Sequence, residues 1–326
     1  MSNNSTCIRP SMISTTVLPI TYIFLCIIGL FGNSLAQWVF LTKIGKKTST
    51  HIYLANLVTA NLLVCTAMPF MGTYFLKGFY WKYESVQCRL VNFLGTLSMH
   101  VSMFVSLLIL SWIAISRYAT LMKKESLQDT TSCYERMVYG HLLKRFRQPN
   151  FARKMCIYIW GVVLVVIIPL VLYYSVVEAT EEGESQCYNR QMEMGASTSQ
   201  IAGLIGTTFI GLSFLVVVTS YYSFVSHLRR IRTSILEKDL TYRSVKRHLW
   251  IIQLLLVVCF LPYSIFKPIF YVLYQRGGDC EQLNYLIEAK NVLTCLASAR
   301  SSTDPIIFLL LDKTFKKTLY DLFTKS

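Results

Sequence analysis

Four ionisable side chains lie inside segments that are otherwise almost free of charge. Lys267 and Lys290 are embedded in long apolar runs, and Arg300 and Asp304 lie four residues apart in the last run. An ionisable group in an apolar environment is costly unless it is paired or binds a ligand. Two ammonium groups could bind a phosphate or a carboxylate, or their long stems could carry the charge to an interface. An arginine and an aspartate one helical turn apart could form an ion pair.

The other reactive side chains do not indicate an enzyme. The five histidines are scattered along the chain, and none stands at the spacing that metal ligands require. The sequence has no His-Glu-x-x-His motif and no catalytic pair within an apolar run. A transporter would show paired halves with interrupted helices, and none is visible. We therefore expect no catalytic residue, no metal site and no cofactor.

The apolar runs predict an all-α membrane protein. Hydrophobic residues make up 53% of the 326 residues and charged residues 15%, against about 25% charged in a soluble domain. A helix needs about 20 apolar residues to cross the hydrocarbon core of a membrane. The sequence predicts one domain, residues 1–326, that is a seven-transmembrane helix bundle followed by a short amphipathic surface helix. The spans are placed at about 17–42, 52–76, 88–118, 155–177, 199–226, 248–273 and 285–310, and the surface helix at 312–323.

Basic residues are distributed unevenly between the predicted loops. With the N-terminus outside, the inner segments hold 22 of the 32 lysines and arginines, and these segments are 43–51, 118–154, 229–248 and 313–326. Lysine and arginine concentrate in cytoplasmic loops, so we expect an N-out, multi-pass protein of the plasma membrane. The net charge of +15 then reflects inner loops that contact anionic membrane lipids, not nucleic acid. Asn3 and Asn4 begin overlapping glycosylation sequons on the side predicted to be outside.

Six short motifs, in order along the chain, resemble those of the rhodopsin-like G protein-coupled receptors. They are Gly32-Asn33, Trp81 with Cys88, Ser116-Arg117-Tyr118, Trp160 with Pro169, Cys259-Phe-Leu-Pro262 and Asp304-Pro-Ile-Ile-Phe308. Within this family, the chain resembles the nucleotide- and lysolipid-receptor branch at Phe260, Lys267, Lys290 and Asp304. The resemblance implies a receptor that passes an extracellular signal to heterotrimeric G proteins.

Four of the ten cysteines are predicted to face the oxidising outer side, namely Cys7, Cys88, Cys187 and Cys280. The sequence alone allows three pairings of four cysteines. The resemblance implies a Cys88–Cys187 disulfide between the third span and the second outer loop. It also implies a Cys7–Cys280 disulfide between the N-terminus and the third outer loop.

Residues in the outer halves of the spans restrict the chemical class of the ligand. Segment 89–116 has no Asp or Glu to pair with an amine ligand, and Ser298 stands where a retinal pigment has its lysine. The predicted pocket residues are Lys267, Lys290, Tyr263, Phe260, His100 and Met99. The two lysines favour an anionic lipid or a nucleotide-like ligand. The alternative is a receptor that signals without a ligand or through a partner receptor.

A second polar group is expected in the core between the spans. The resemblance implies that most relatives bind sodium through an Asp of the second span, and Asn61 stands at that position here. Arg300 replaces a seventh-span Asn. Together with Asn33, Ser106 and Asp304, these residues form the predicted core polar network, in which the Arg300 guanidinium takes the place of the sodium ion.

The predicted G protein switch lies at the inner ends of the spans and comprises Ser116, Arg117, Tyr118, Tyr221 and Phe308. The resemblance implies that Arg117 contacts the G protein. Ser116 replaces the acid that restrains this arginine in relatives, which favours the active state. Phe308 stands where relatives have a tyrosine and lacks its hydroxyl, and this loss disfavours the active state. The two effects oppose each other, so the sign of the basal activity stays open. The basic third inner loop favours inhibitory (Gi-type) G proteins.

Overall fold

The computed structural model describes residues 9–77, 86–125, 144–176, 240–275, 279–311 and 313–324, together with Cys187, Glu193 and a subset of the positions between 200 and 222. Within these residues, every regular element is a helix and there is no strand. The all-α prediction is therefore confirmed.

The helices follow the order of the apolar runs. They are α1 (Leu18–Trp38), α2 (Ser49–Lys77), α3 (Val86–Glu125), α4 (Pro149–Val162), α5 (Ile168–Val176), α6 (Leu240–Gln275), α7 (Cys280–Leu311) and α8 (Lys313–Thr324). The π-helical turn Val163–Ile167 joins α4 and α5 into one continuous span, and the turns Ile13–Val17 and Val39–Lys43 extend α1 at both ends. In the predicted fifth span, the described residues 203–208 are helical.

Four helical segments of the described residues are long and apolar enough to cross a membrane. They are Ile13–Lys43, Ser49–Lys77, Val86–Ile113 and Pro149–Tyr173. On α1 the large apolar side chains of Ile20, Phe24, Ile27 and Phe31 are exposed. An apolar surface of this kind on a long helix is typical of a face that contacts lipid.

Helix α1 packs against α2 and α7, and α2 packs against α3 and α4. A glycine permits the close approach of α1: a Cβ at Gly29 would lie 2.3 Å from the Cys65 sulfur and 2.7 Å from the Ser302 hydroxyl oxygen. Real Cβ atoms do not approach other atoms so closely, so this position requires a residue without a side chain.

Helix α8 is fastened to one end of the bundle by aromatic contacts. The buried Phe315 ring of α8 stacks on Phe40 at 5.1 Å between centroids and meets Phe308 edge-on at 6.5 Å. Lys316 and Lys317 are exposed. The predicted amphipathic helix after the last span is therefore present. We call this end of the bundle the α8 end, and the opposite end, where α3 begins, the disulfide end.

Candidate functional site

A disulfide fixes the beginning of α3. Cys88 is bonded to Cys187, with 5.8 Å between the Cα atoms, and both residues are completely buried. The predicted Cys88–Cys187 pairing is confirmed. Cys280, at the beginning of α7, is also disulfide-bonded. Cys7, Asn3 and Asn4, for which the sequence predicts a disulfide and glycosylation, lie outside the described residues.

The Lys290 ammonium, in α7, is ion-paired with the Glu193 carboxylate. It also donates a hydrogen bond of 2.9 Å to the Glu193 carbonyl oxygen. The Tyr74 hydroxyl of α2 donates to the other carboxylate oxygen of Glu193 at 2.5 Å. The Glu193 side chain is 3% exposed and the Lys290 side chain 17%. Lys290, predicted to be available for a ligand anion, is thus already paired with a carboxylate of its own chain.

The Lys267 ammonium, in α6, has a different environment. It lies 5.5 Å from the centre of the Tyr263 ring. A Cβ at Gly203, in the fifth span, would lie 3.6 Å from this ammonium. Among the described residues, no carboxylate or carbonyl oxygen is bonded to Lys267. The sequence predicts the same role for Lys267 and Lys290, but their electrostatic environments differ. Among the described residues, only Lys290 is paired with a carboxylate.

One face of α3 carries polar side chains at helical spacing: Arg89, Asn92, Thr96 and His100. The Thr96 hydroxyl donates to the Asn92 amide oxygen at 3.3 Å, and His100 Nδ1 bonds the Thr96 carbonyl oxygen at 2.8 Å. Arg89 Nε and Asn92 Nδ2 are buried and have no hydrogen-bond partner among the residues that the structure describes. His100 lies within electrostatic range of Lys267. Lys267 thus lies near the His100 end of this face, and Asn92 and Arg89 continue the face toward the disulfide end. We call the α3 face together with Lys267 the donor cleft.

The sequence prediction did not include Arg89, Asn92, Glu193 or Tyr74. For the two α3 residues a signal exists, since polar residues three and four apart continue toward the predicted pocket residue His100. For Glu193 and Tyr74 the sequence carries no comparable signal.

Two predicted pocket residues, Phe260 and Met99, are more deeply buried than residues that line an open pocket. The Phe260 ring is 1% exposed, and its centre lies 5.3 Å from the Arg300 guanidinium carbon. Met99 is 7% exposed, and its sulfur accepts a hydrogen bond of 3.7 Å from the Ser298 hydroxyl. Phe260 therefore contacts the core polar network directly.

Arg300 is the centre of that network and is 1% exposed. Its NH1 nitrogen lies 3.1 Å from a carboxylate oxygen of Asp304, one turn along α7. Its NH2 nitrogen donates to the Asn61 amide oxygen at 3.2 Å and to the Ser106 hydroxyl. The guanidinium and the carboxylate cancel each other's charge, as a buried pair requires.

The network continues from Asn61 into α1. The Asn61 amide nitrogen donates to Asp304 at 2.8 Å and to the Asn33 side-chain oxygen at 3.2 Å. The Asn33 amide nitrogen donates to the Ser301 carbonyl oxygen at 2.9 Å. The structure thus brings all five predicted core residues together, with α1, α2, α3 and α7 each contributing at least one side chain.

The switch residues are described in part. Ser116 is 2% exposed, and its hydroxyl lies 2.8 Å from that of Ser49 in α2. Phe308 is 2% exposed and meets the Phe40 ring edge-on at 5.9 Å. Arg117 and Tyr118 belong to α3, but their side chains, like Tyr221, lie outside the description.

The chain is similar in sequence to known seven-transmembrane receptors. Residues 32–308 match the family described as "7 transmembrane receptor (rhodopsin family)". The chain is 89% identical to "Probable G-protein coupled receptor 82" of Mus musculus, covering 100% of both chains. It is 80% identical to the Homo sapiens protein of the same name, covering 100% of this chain and 97% of that protein. It is 26% identical to the human "Uracil nucleotide/cysteinyl leukotriene receptor", over 92% of this chain and 75% of that receptor.

Proposed function

Because the chain belongs to the rhodopsin family of seven-transmembrane receptors, we propose that its disulfide end faces the outside of the cell and binds an anionic ligand. Membership in the family makes the chain a multi-pass membrane receptor that signals through heterotrimeric G proteins, and not an enzyme. The ligand class, the orientation, the plasma membrane location and the G protein subtype are parts of the proposal.

The orientation rests on two independent features. Of the basic segments, the structure describes the connection 43–51 between α1 and α2 and the helix α8, and both lie at the α8 end, where the positive-inside rule places the cytoplasm. The Cys88–Cys187 disulfide lies at the other end, and disulfides persist in the oxidising environment outside the cytosol. Both features favour an outer disulfide end and an inner α8 end.

The donor cleft is the observation that carries the ligand proposal. The Lys267 ammonium, Arg89 Nε and Asn92 Nδ2 all lack an acceptor among the described residues. A buried donor without a partner costs about 1–3 kcal/mol. A phosphate or carboxylate group supplies several acceptor oxygens together with the negative charge that Lys267 requires. An amine ligand would supply more donors and another positive charge, so it does not fit this cleft.

The organic part of the ligand is proposed from the surroundings of Lys267. The Tyr263 ring is 8% exposed and lies 5.5 Å from this ammonium, and Tyr271 lies with Lys267 beside Gly203, so apolar or aromatic groups would pack there. One relative is named for uracil nucleotides and cysteinyl leukotrienes, which supports a nucleotide or an acidic lipid for this chain. We propose an anionic lipid or a nucleotide-like molecule as the agonist.

Screening with charged-group variants tests this function. Lysophospholipids, fatty acids and nucleoside diphosphates are applied to cells, and G protein activation is measured for wild type, Lys267→Ala and Lys267→Arg. An active anion should lose about tenfold or more in potency in Lys267→Ala, because a charge-assisted hydrogen bond contributes about 1.5–3 kcal/mol. Lys267→Arg keeps the charge and should keep most of the potency.

Lys77→Ala is the matched control, because Lys77 is exposed at the same end of the bundle, at the end of α2. It removes the same charge without touching the cleft and should leave potency unchanged. Full agonist potency in Lys267→Ala, at surface expression equal to wild type, would refute the proposal that Lys267 binds the anionic group of the ligand. Running the screen against Gα subtypes separately tests the proposed Gi preference.

Signalling without a ligand is the second candidate function. Ser116 holds no charge, and its hydroxyl bonds Ser49 of α2, so the acidic restraint expected on Arg117 is absent. Ligand-free G protein activation, compared between wild type and Arg117→Glu at matched surface expression, decides this point. A wild-type signal that Arg117→Glu abolishes supports the second candidate, whereas equal signals exclude it.

A further inference from the structure

We propose that Lys290 and Tyr74 form an exchangeable anion subsite, which the receptor fills with its own Glu193 as a tethered anion. A carboxylate or phosphate group of an external ligand takes the place of the Glu193 side chain when it binds there. The inference rests on the proposed function, because it assigns this subsite to the same ligand-binding end of the bundle.

The geometry is that of an anion-binding site. The Lys290 ammonium contacts one carboxylate oxygen of Glu193, and the Tyr74 hydroxyl contacts the other at 2.5 Å. The Phe270 ring lies 5.8 Å from the same ammonium. A cation, a hydroxyl donor and an aromatic wall are thus arranged around one carboxylate. The donors come from α2 and α7, whereas the acceptor comes from a segment between the fourth and fifth spans.

The acceptor is held by a tether. Glu193 lies six positions after Cys187, which is bonded to Cys88 of α3. An extended chain of six residues reaches at most about 20 Å, so the Glu193 carboxylate stays near Lys290 even after it leaves the subsite. A group tethered in this way has an effective concentration in the millimolar range. An external anion must therefore compete with it, and only a ligand with additional contacts succeeds at low concentration.

Exchange conserves the interactions of the partly buried cation. Removing Glu193 without replacement would leave the Lys290 ammonium, whose side chain is 17% exposed, without its carboxylate, which is unfavourable for a charge with little access to water. A ligand carboxylate or phosphate offers Lys290 and Tyr74 the same two acceptor oxygens, while the released Glu193 carboxylate is solvated by water.

The tether divides anionic ligands into two groups. A ligand with one anionic group binds Lys267 in the donor cleft and leaves the Glu193–Lys290 pair in place. A ligand with two anionic groups can contact both lysines and displaces Glu193. Glu193 thus determines how many anionic groups a ligand must carry to contact Lys290 of α7.

Chemical rescue tests the subsite without knowledge of the ligand. Full-length receptor is purified in detergent as wild type, Glu193→Ala and Glu193→Ala/Lys290→Met, and Tm is measured against sodium acetate at constant ionic strength with chloride. Glu193→Ala should have a lowered Tm that acetate raises saturably, because acetate restores the missing carboxylate and ligand binding stabilises the folded state. Wild type, whose subsite is filled, and the double variant, which has no cation, should not respond.

The proposal is overturned if acetate and chloride affect Glu193→Ala equally, or if the double variant responds as strongly as the single one. If Glu193→Ala does not fold, Glu193→Gln is used in its place. The glutamine amide binds Lys290 more weakly than a carboxylate, so acetate should displace it and give the same saturable increase; no increase would again overturn the proposal.

The outcome is separable from that of the anionic-agonist screen. A failed rescue leaves the effect of Lys267→Ala on agonist potency intact, and Glu193–Lys290 is then a structural ion pair only. A successful rescue combined with an unaffected Lys267→Ala variant would confine anion binding to Lys290.

Discussion

Arg300 and Asp304 form a buried ion pair on one face of α7, with 3.1 Å between guanidinium and carboxylate. Their side chains are 1% and 6% exposed, so water screens neither charge. Asn61 bonds both members of the pair. The pair therefore fixes the position of two charges in the middle of the helix bundle, and either partner alone would be unstable there.

Arg300→Asn should destabilise the receptor strongly. It leaves the Asp304 carboxylate buried without a cation, and breaking a buried pair in this way costs about 3–5 kcal/mol. The double variant Arg300→Asn/Asp304→Asn removes the orphaned charge and should recover much of the loss. Tm of purified protein and surface expression are the measurements.

Lys316→Asn is the control for this series, because Lys316 is exposed on α8 and should tolerate the same substitution with little change. Equal losses in Arg300→Asn and in the double variant would show that the ion pair does not account for the stability of this region.

Sodium should have no specific effect on the wild-type receptor. The Arg300 guanidinium contacts Asn61, Ser106 and Asp304, and a sodium ion among the same oxygens would be repelled by it. We expect equal Tm and equal basal signalling when sodium chloride is exchanged for choline chloride at the same ionic strength. Arg300→Asn, which frees these oxygens, is the variant in which sodium stabilisation should appear. A saturable sodium effect on wild type would contradict the assignment.

Ser116→Asp should lower ligand-free signalling relative to Ser116→Asn. The two side chains have nearly the same shape, and both replace the hydroxyl that bonds Ser49, so their difference isolates the charge beside Arg117. If the carboxylate restrains the arginine by about 1 kcal/mol, the active fraction falls about fivefold. G protein activation at matched surface expression measures this ratio. Indistinguishable signals from the two variants would mean that a charge at this position does not control the switch.

Much of the fold and of the core network could be predicted from the sequence. Uncharged runs of membrane-spanning length specify helices, because a backbone in lipid must satisfy its own hydrogen bonds. The Arg300–Asp304 contact follows from a spacing of four residues within such a run. Asn33, Asn61 and Ser106 were placed with this pair through the resemblance to a receptor family, and the structure has them in hydrogen-bonding contact.

The disulfide end could be predicted only in part, because its contacts join distant parts of the chain. Glu193 contacts Lys290 across 97 positions and Tyr74 across 119. The same predicted outer segment contains several other glutamates, and neither composition nor spacing distinguishes the one that reaches α7. Phe260 illustrates a second limit, since motif position placed it in the pocket whereas its ring packs on Arg300. The rotation of a helix about its axis depends on its packing against distant segments, and the sequence pattern of that helix alone does not specify this packing.

The junction of α1, α2 and α7 has a mechanical consequence. Asn33 hydrogen-bonds both other helices, and Gly29 lets the three backbones approach too closely for relative sliding. These helices therefore behave as a rigid frame, and a change of shape must be made by helices outside it. In α6, Pro262 and Pro268 remove two backbone hydrogen bonds and lower the cost of bending. The contact between Phe260 of α6 and Arg300 of α7 is then the point at which bending of α6 changes the packing against the three-helix frame.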